Sequence, residues 1–229
     1  IDMPDTKELT ALIDTEALER FRARALNPEH PMLRATVQNG DVYFQVREAN
    51  NTAYDELADV VEGVMAQVAG VTGREHHVFD YYGAPDATDV VVAMGSVCET
   101  LTEVVDYLME RGEKIGFIQV HLFRPFSMER LLEKIPASCK CLTVLDRTKE
   151  PGALGEPLYQ DVVTSLANAG RSDIQVIGGR YGLGSKDTPP ASVFAVYDEL
   201  KRDEMKRQFT IGIVDDVTNL SLPEDKNCP

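Results

Sequence analysis

From Asp89 onward, short apolar runs alternate with stretches whose apolar residues recur at helical spacing, and this regular succession restricts the fold more than any other feature. Val90-Val91-Val92-Ala93-Met94 is apolar without interruption, as a strand covered on both faces must be. Gly95 permits a sharp turn. Ser96-Val97-Cys98-Glu99 has the S-x-x-E form of a capping box, opening a helix that carries Leu101, Val104, Val105, Leu108 and Met109 and stops at Arg111-Gly112. Further strands are predicted over 115–122, 141–145 and 174–177. The helices between them carry Leu131, Leu132 and Ile135, then Leu158, Val162, Val163 and Leu166 after a first-turn Pro157, and finally Val193, Phe194, Val196, Tyr197 and Leu200. Phe209, Ile211 and Ile213 alternate with their neighbours as an edge strand would. About five strands separated by helices imply the α/β class: a three-layer α/β/α sandwich around a mostly parallel sheet, because crossovers allow little else.

The first part of the chain reads differently, as an irregular, helical N-terminal segment. Two short helices fit 6–25, broken near Asp14-Thr15, and Asn27-Pro28-Glu29-His30-Pro31 must be loop. Val42-Tyr43-Phe44-Gln45-Val46 suggests a short extended piece without a visible partner. A longer helix fits 53–69, with Tyr54, Leu57, Val60, Val61, Val64, Met65 and Val68 at helical spacing, Thr52 and Asp55 as a capping arrangement, and Gly70 and Gly73 after its end. The aromatic stretch from His76 to Pro85 reads as a connector lying on the surface of the strand-and-helix region that begins at Asp89.

The 229 residues suffice for one sizeable domain or two small ones, and a formal charge of −15 argues against nucleic acid or an anionic membrane as partner. No apolar run approaches the roughly 20 residues needed to cross a bilayer, and the start lacks a signal core, which points to the cytoplasm. The initial Ile1 and the polar end from Pro223 to Pro229 read as cuts in a longer polypeptide. Cys98, Cys139, Cys141 and Cys228 match neither a zinc ribbon nor an iron–sulfur run, so reduced structural thiols are expected.

In a doubly wound sheet, ligands and partners meet the loops at the carboxyl ends of the strands. There the sequence resembles the pyruvate:ferredoxin (or flavodoxin) oxidoreductase family. The resemblance runs in order through 21–31 (FRARALNPEHP), 83–87 (GAPDA), 93–96 (AMGS), 122–127 (LFRPFS), 145–159 (LDRTKEPGALGEPLY), 178–186 (GGRYGLGSK) and 215–223 (DDVTNLSLP). It implies an enzyme that oxidatively decarboxylates pyruvate with thiamine diphosphate and Mg2+, passes electrons through 4Fe-4S clusters to ferredoxin or flavodoxin, and releases acetyl-coenzyme A. By the same likeness, 1–50 would be the tail of a preceding thiamine-diphosphate pyrimidine-binding domain and 51–87 a helix and connector. The segment 88–223 would be a transketolase-C-terminal-like domain, and 224–229 a linker. The family's catalytic, diphosphate-binding, coenzyme A-binding and cluster-binding motifs have no matching positions here. No catalytic, cofactor-binding or metal residue is therefore carried over, and this stretch is expected to scaffold other domains of the same polypeptide, the parent being a homodimer.

A rival reading is a self-contained nucleotide- or coenzyme A-binding module using the 178–186 loop, since successive backbone N–H groups can cradle an anion. That loop satisfies neither G-x-G-x-x-G nor a P-loop, which favours a structural turn or domain contact. His76-His77 lacks ligand partners at suitable spacing, and His121 reads as a hydrogen-bonded, partly buried residue. Arg124, Arg147, Lys149, Arg180 and Lys186 all fall in loops at predicted strand carboxyl ends of a strongly acidic chain. They are candidates for a domain interface, with pairing to local acids such as Asp146, Glu150, Glu156 and Asp187 as the alternative. On the interface reading, Arg147 or Arg180 could be removed without cost to the isolated chain.

Overall fold

A computed structural model describes residues 3–32, 37–214 and 217–225. Asp215 and Asp216 of the last resemblance block, and residues 226–229 with Cys228, lie outside the described residues. The chain divides into two compact units, 1–76 and 77–229.

The first unit is helical. It contains α1 (Thr6–Ala11), α2 (Thr15–Ala23), α3 (Tyr43–Ala49) and α4 (Asn51–Thr72). The Asp14 side chain caps α2 through the Ala17 N–H, which explains the break between the first two helices. The predicted extended piece is instead α3. With no partner strand to receive its amides, the backbone closes on itself through Tyr43 N–H to Asn39 O and Val46 N–H to Val42 O. The long helix takes in Gly70 and ends at Gly73 in the left-handed region; the Asn50 cap, not a Thr52 arrangement, opens it. Ala58 is the one buried residue among those described up to 76.

The second unit contains β1 (Phe79–Gly83), β2 (Asp89–Ala93), α5 (Val97–Met109), β3 (Ile115–Val120), α6 (Met128–Lys134), β4 (Cys141–Asp146), α7 (Pro157–Asn168), β5 (Gln175–Arg180), α8 (Pro190–Leu200) and β6 (Gln208–Thr210). One six-stranded sheet has the order β1-β3-β2-β4-β5-β6, all parallel except β1, which runs antiparallel to β3. The expected connector is thus an edge strand. Its aromatic Phe79-Asp80-Tyr81-Tyr82 run suits a pleated surface and pairs with the otherwise open side of β3.

The central strands β2 and β4 are buried almost throughout, as their unbroken apolar runs require. Alternate residues serve opposite faces. Val91 and Ala93 join Leu101, Val105, Val193 and Val196 of α5 and α8, while α6 and α7 pack against each other beyond the remaining face. Each such valine contributes roughly 1.5–3 kcal/mol by leaving water. Two local expectations fail. Ser96 has helical φ/ψ and makes no side-chain cap, so no capping box forms; and β6 stops at Thr210, where the Ile211 N–H reaches Arg180 O at 3.1 Å. No described helix is long and apolar enough to cross a membrane.

Candidate functional site

The order of the strands creates one point of divergence. From β2 the chain goes through α5 to β3 on one side, whereas from β4 it goes through α7 to β5 on the other, which opens a crevice between the carboxyl ends of β2 and β4. A cavity of about 370 Å3 lies there, lined in part by Ser96, Thr100, Arg147, Lys186 and Asp187. A second, of about 420 Å3, lies at the ends of β5 and β6, with Lys149, Arg180, Leu183, Ile211 and Ile213 in its walls. Tyr181 and Lys186 border both.

The loop between β4 and α7 is shaped by two buried acids. Asp146 ends β4, and its two carboxylate oxygens accept the N–H groups of Leu158 and Tyr159, each at 3.0 Å, satisfying amides at the start of α7. Burial pushes the Asp146 carboxyl up, outweighing these two bonds, and the nearby Glu156 and Asp161 add to the rise. Glu156 holds the loop from inside. One oxygen accepts the Glu150 N–H at 2.8 Å, and the other meets Arg180 Nη1 at 3.1 Å, with side chains only 6% and 7% exposed. Gln208 Nε2 donates to Leu154 O at 2.7 Å and ties the loop to β6.

The five basic candidates therefore separate. Arg180 lies inside the domain against Glu156 and not on an open rim, which argues against its removal without cost. Arg124 pairs with Asp161 at 2.7 Å and stacks on Phe123, 3.9 Å from the ring centre. Arg147 donates its Nε to Gly182 O at 3.0 Å. Lys149 and Lys186 form no ion pair or side-chain hydrogen bond among the described residues and stay exposed. Spacing drew these five residues together; only Arg147, Lys149 and Lys186 face outward at the cavities without a carboxylate partner.

The glycines at 178 and 179 serve packing. Both lie within β5, where a Cβ on Gly178 would come 3.1 Å from the Tyr159 ring and one on Gly179 2.5 Å from Phe209. Past the strand, Gly182 and Gly184 adopt positive φ and turn the chain across the sheet edge, and Ser185 shares that conformation at φ 60°. Sequence reading missed Asp161, Tyr181 and Thr100 at this edge. Tyr181 carried a signal in retrospect, an aromatic residue just past a strand; its hydroxyl donates to Met94 O at 3.3 Å across the sheet end, and burial pushes its pKa up to about 12.

Away from this edge, His121 follows β3, is partly buried, and places its Nε2 3.2 Å from Asp80 Oδ2 as an ion-pair neighbour. Burial would raise the Asp80 carboxyl, but the His121 hydrogen bond and the His77 N–H hold it below the usual carboxylate value. Cys98, Cys139 and Cys141 are free and buried, and burial pushes their pKa values up to about 12, 11 and 12.

Exposed apolar residues gather at the same edge. Five of the seven large hydrophobic residues exposed among the described residues of the second unit, Leu154, Leu183, Ile213, Val214 and Val217, lie in loops after β4, β5 or β6. A surface that is both apolar and cationic can bind a protein face bearing the complementary features.

Comparison with known proteins relates the chain to one family. Residues 87–193 match the family described as pyruvate:ferredoxin oxidoreductase core domain II. The chain is 57% identical over 222 residues to a pyruvate:ferredoxin oxidoreductase of Moorella thermoacetica, covering 97% of this chain and 19% of that protein. It is 50% identical to a pyruvate-flavodoxin oxidoreductase of Enterobacter agglomerans, with the same coverage. A pyruvate dehydrogenase (NADP+) of Cryptosporidium parvum is 47% identical over 97% of this chain and 12% of its own length. The chain thus spans about a fifth or less of the curated relatives it matches.

Proposed function

The chain is a member of the pyruvate:ferredoxin oxidoreductase family, carrying core domain II over 87–193, and we propose that it acts there as a scaffold, a non-catalytic α/β domain that orients its neighbours through the carboxyl edge of its sheet. The observation that carries this reading is the concentration of exposed apolar side chains and unpaired cations at that one edge. Arg147, Lys149 and Lys186 are the docking cations, and Leu154 and Leu183 their apolar companions. The transketolase-C-terminal-like unit spans 88–223, preceded by the end of a pyrimidine-binding domain up to residue 50.

For the whole polypeptide, the proposed reaction is oxidative decarboxylation of pyruvate to acetyl-coenzyme A and CO2 in the cytoplasm. Ferredoxin or flavodoxin accepts the electrons, and the enzyme works as a homodimer. Thiamine diphosphate with Mg2+, 4Fe-4S clusters and coenzyme A supply that chemistry from parts of the polypeptide outside this chain. That relatives named for ferredoxin, flavodoxin and NADP share this segment at similar identity supports a role upstream of acceptor choice. The pure 229-residue chain, supplied with thiamine diphosphate, Mg2+ and coenzyme A, is expected to show no pyruvate-dependent reduction of a viologen dye. Measurable turnover would place catalytic groups within it.

A further inference from the structure

The crevice between β2 and β4 holds charge that the domain itself does not neutralise. Arg147 and Lys186 reach it from different loops, after β4 and after β5. The Arg147 Nε bond to Gly182 O holds the guanidinium in place, and its two terminal nitrogens make no hydrogen bond to a described residue. Neither cation forms an ion pair among the described residues, in a chain where Arg124, Arg171, Arg180, Lys201 and Arg202 all do. Asp187 also lines the cavity without pairing to Lys186, so charged side chains there number two positive and one negative.

Neutral donors surround the same space. Ser96, Thr100, Ser185 and Thr188 line it with hydroxyls. Ser96 does not spend its side chain on a cap, and at the start of α5 the Cys98 and Glu99 N–H groups already donate to Gly95 O at 3.1 Å and Ser96 O at 3.3 Å, so the hydroxyls are the neutral donors left to a ligand. Glu99 lies in that first turn but is not among the lining residues. A volume of about 370 Å3 is at the small end of ligand sites. The surplus cation, the hydroxyls and the location at the divergence of the strands favour a compact group rich in acceptor oxygens.

We infer that this crevice seats a small oxyanion, a phosphate or a carboxylate, held by Arg147 and Lys186 with Ser96 and Thr100 as neutral donors. The inference concerns the domain alone and does not depend on its place in an oxidoreductase.

The test is a titration of the 229-residue chain at fixed ionic strength with inorganic phosphate, and separately with acetate, followed through the amide resonances of Ser96, Val97 and Ser185. Saturable shifts at these amides are expected. Lys186→Met should weaken binding about fivefold, the effect of one exposed charged contact. Thr100→Val should also weaken it while leaving the charge unchanged. Lys140→Met, which makes the same charge change at the opposite edge of the sheet, should leave it alone. Saturation by phosphate only would assign a phosphate-bearing ligand, and equal saturation by acetate a carboxylate such as a neighbouring domain could supply; both support the seat. Shifts that drift without saturating, or an equal effect of Lys140→Met and Lys186→Met, would overturn it.

Discussion

Removing the Arg180 guanidinium should unfold this domain far more readily than removing any cation on its surface. The side chain is 7% exposed and meets Glu156, 6% exposed, at 3.1 Å. In Arg180→Ala the Glu156 carboxylate stays buried, with the Glu150 N–H as its remaining polar contact. Loss of one partner from a buried pair costs about 3–5 kcal/mol. Two features place this case near the lower bound: a single nitrogen makes the contact, and Arg180 Nε has no hydrogen-bond partner, so the native pair is itself imperfect. A loss of about 3 kcal/mol is a large part of the 5–15 kcal/mol typical of a domain, and should lower the melting temperature by roughly 6–12 °C. Urea unfolding followed by circular dichroism gives the number directly. Replacing both partners, Arg180→Met with Glu156→Leu, should recover much of the loss, because no charge is then left buried. A loss under about 1 kcal/mol in Arg180→Ala, the size of a solvated surface pair, would refute the reasoning.

Two further outcomes are expected from the same structure. The Asp80 carboxyl is held below its ordinary value of 3.8, so its contribution to stability is present above that value and lost as pH falls through the lower folded one; His121→Ala should flatten the acid limb of the stability profile, and an unchanged limb would contradict the pairing. Amides of residues 3–32 and 37–50 should exchange with solvent much faster than those of Val90 to Ala93, because the described residues up to 76 bury only Ala58 whereas β2 is covered on both faces; equal protection would contradict this.

The parallel core was legible because its signal is one-dimensional. An unbroken apolar run as short as Val90 to Ala93, followed at once by Gly95, suits a strand covered on both faces, and Pro157 marks a helix start by a constraint local to the residue. The Phe79 strand was not legible, because an antiparallel edge strand is defined by its partner, and nothing in Phe79-Asp80-Tyr81-Tyr82 says that β3 has a free side. Likewise Tyr43 to Val46 has strand-like residues, and only the lack of a partner decides for helix. The candidate site divides along the same line. Sequence assigned five cations to loops after strands, since strand ends are countable, but β5 runs on through Arg180, and spacing cannot show which way each side chain turns. That Arg180 turns inward to Glu156, 24 residues earlier, depends on the packing of β4, α7 and β5 around the loop.

The central claim is that the carboxyl edge docks other domains and contributes no chemistry, and it is tested most directly by one pair of changes measured in two settings. Lys149→Glu with Leu183→Asp alters the docking edge outside the oxyanion crevice, at residues that are exposed and make no internal bond through their side chains. In the 229-residue chain, the urea midpoint should correspond to a change within about 0.5 kcal/mol, as for ordinary surface substitutions. In the complete oxidoreductase, the same pair should lower pyruvate turnover and loosen the packing of this domain, seen as faster amide exchange along the edge loops. Full turnover and unchanged exchange in the complete enzyme would contradict the account.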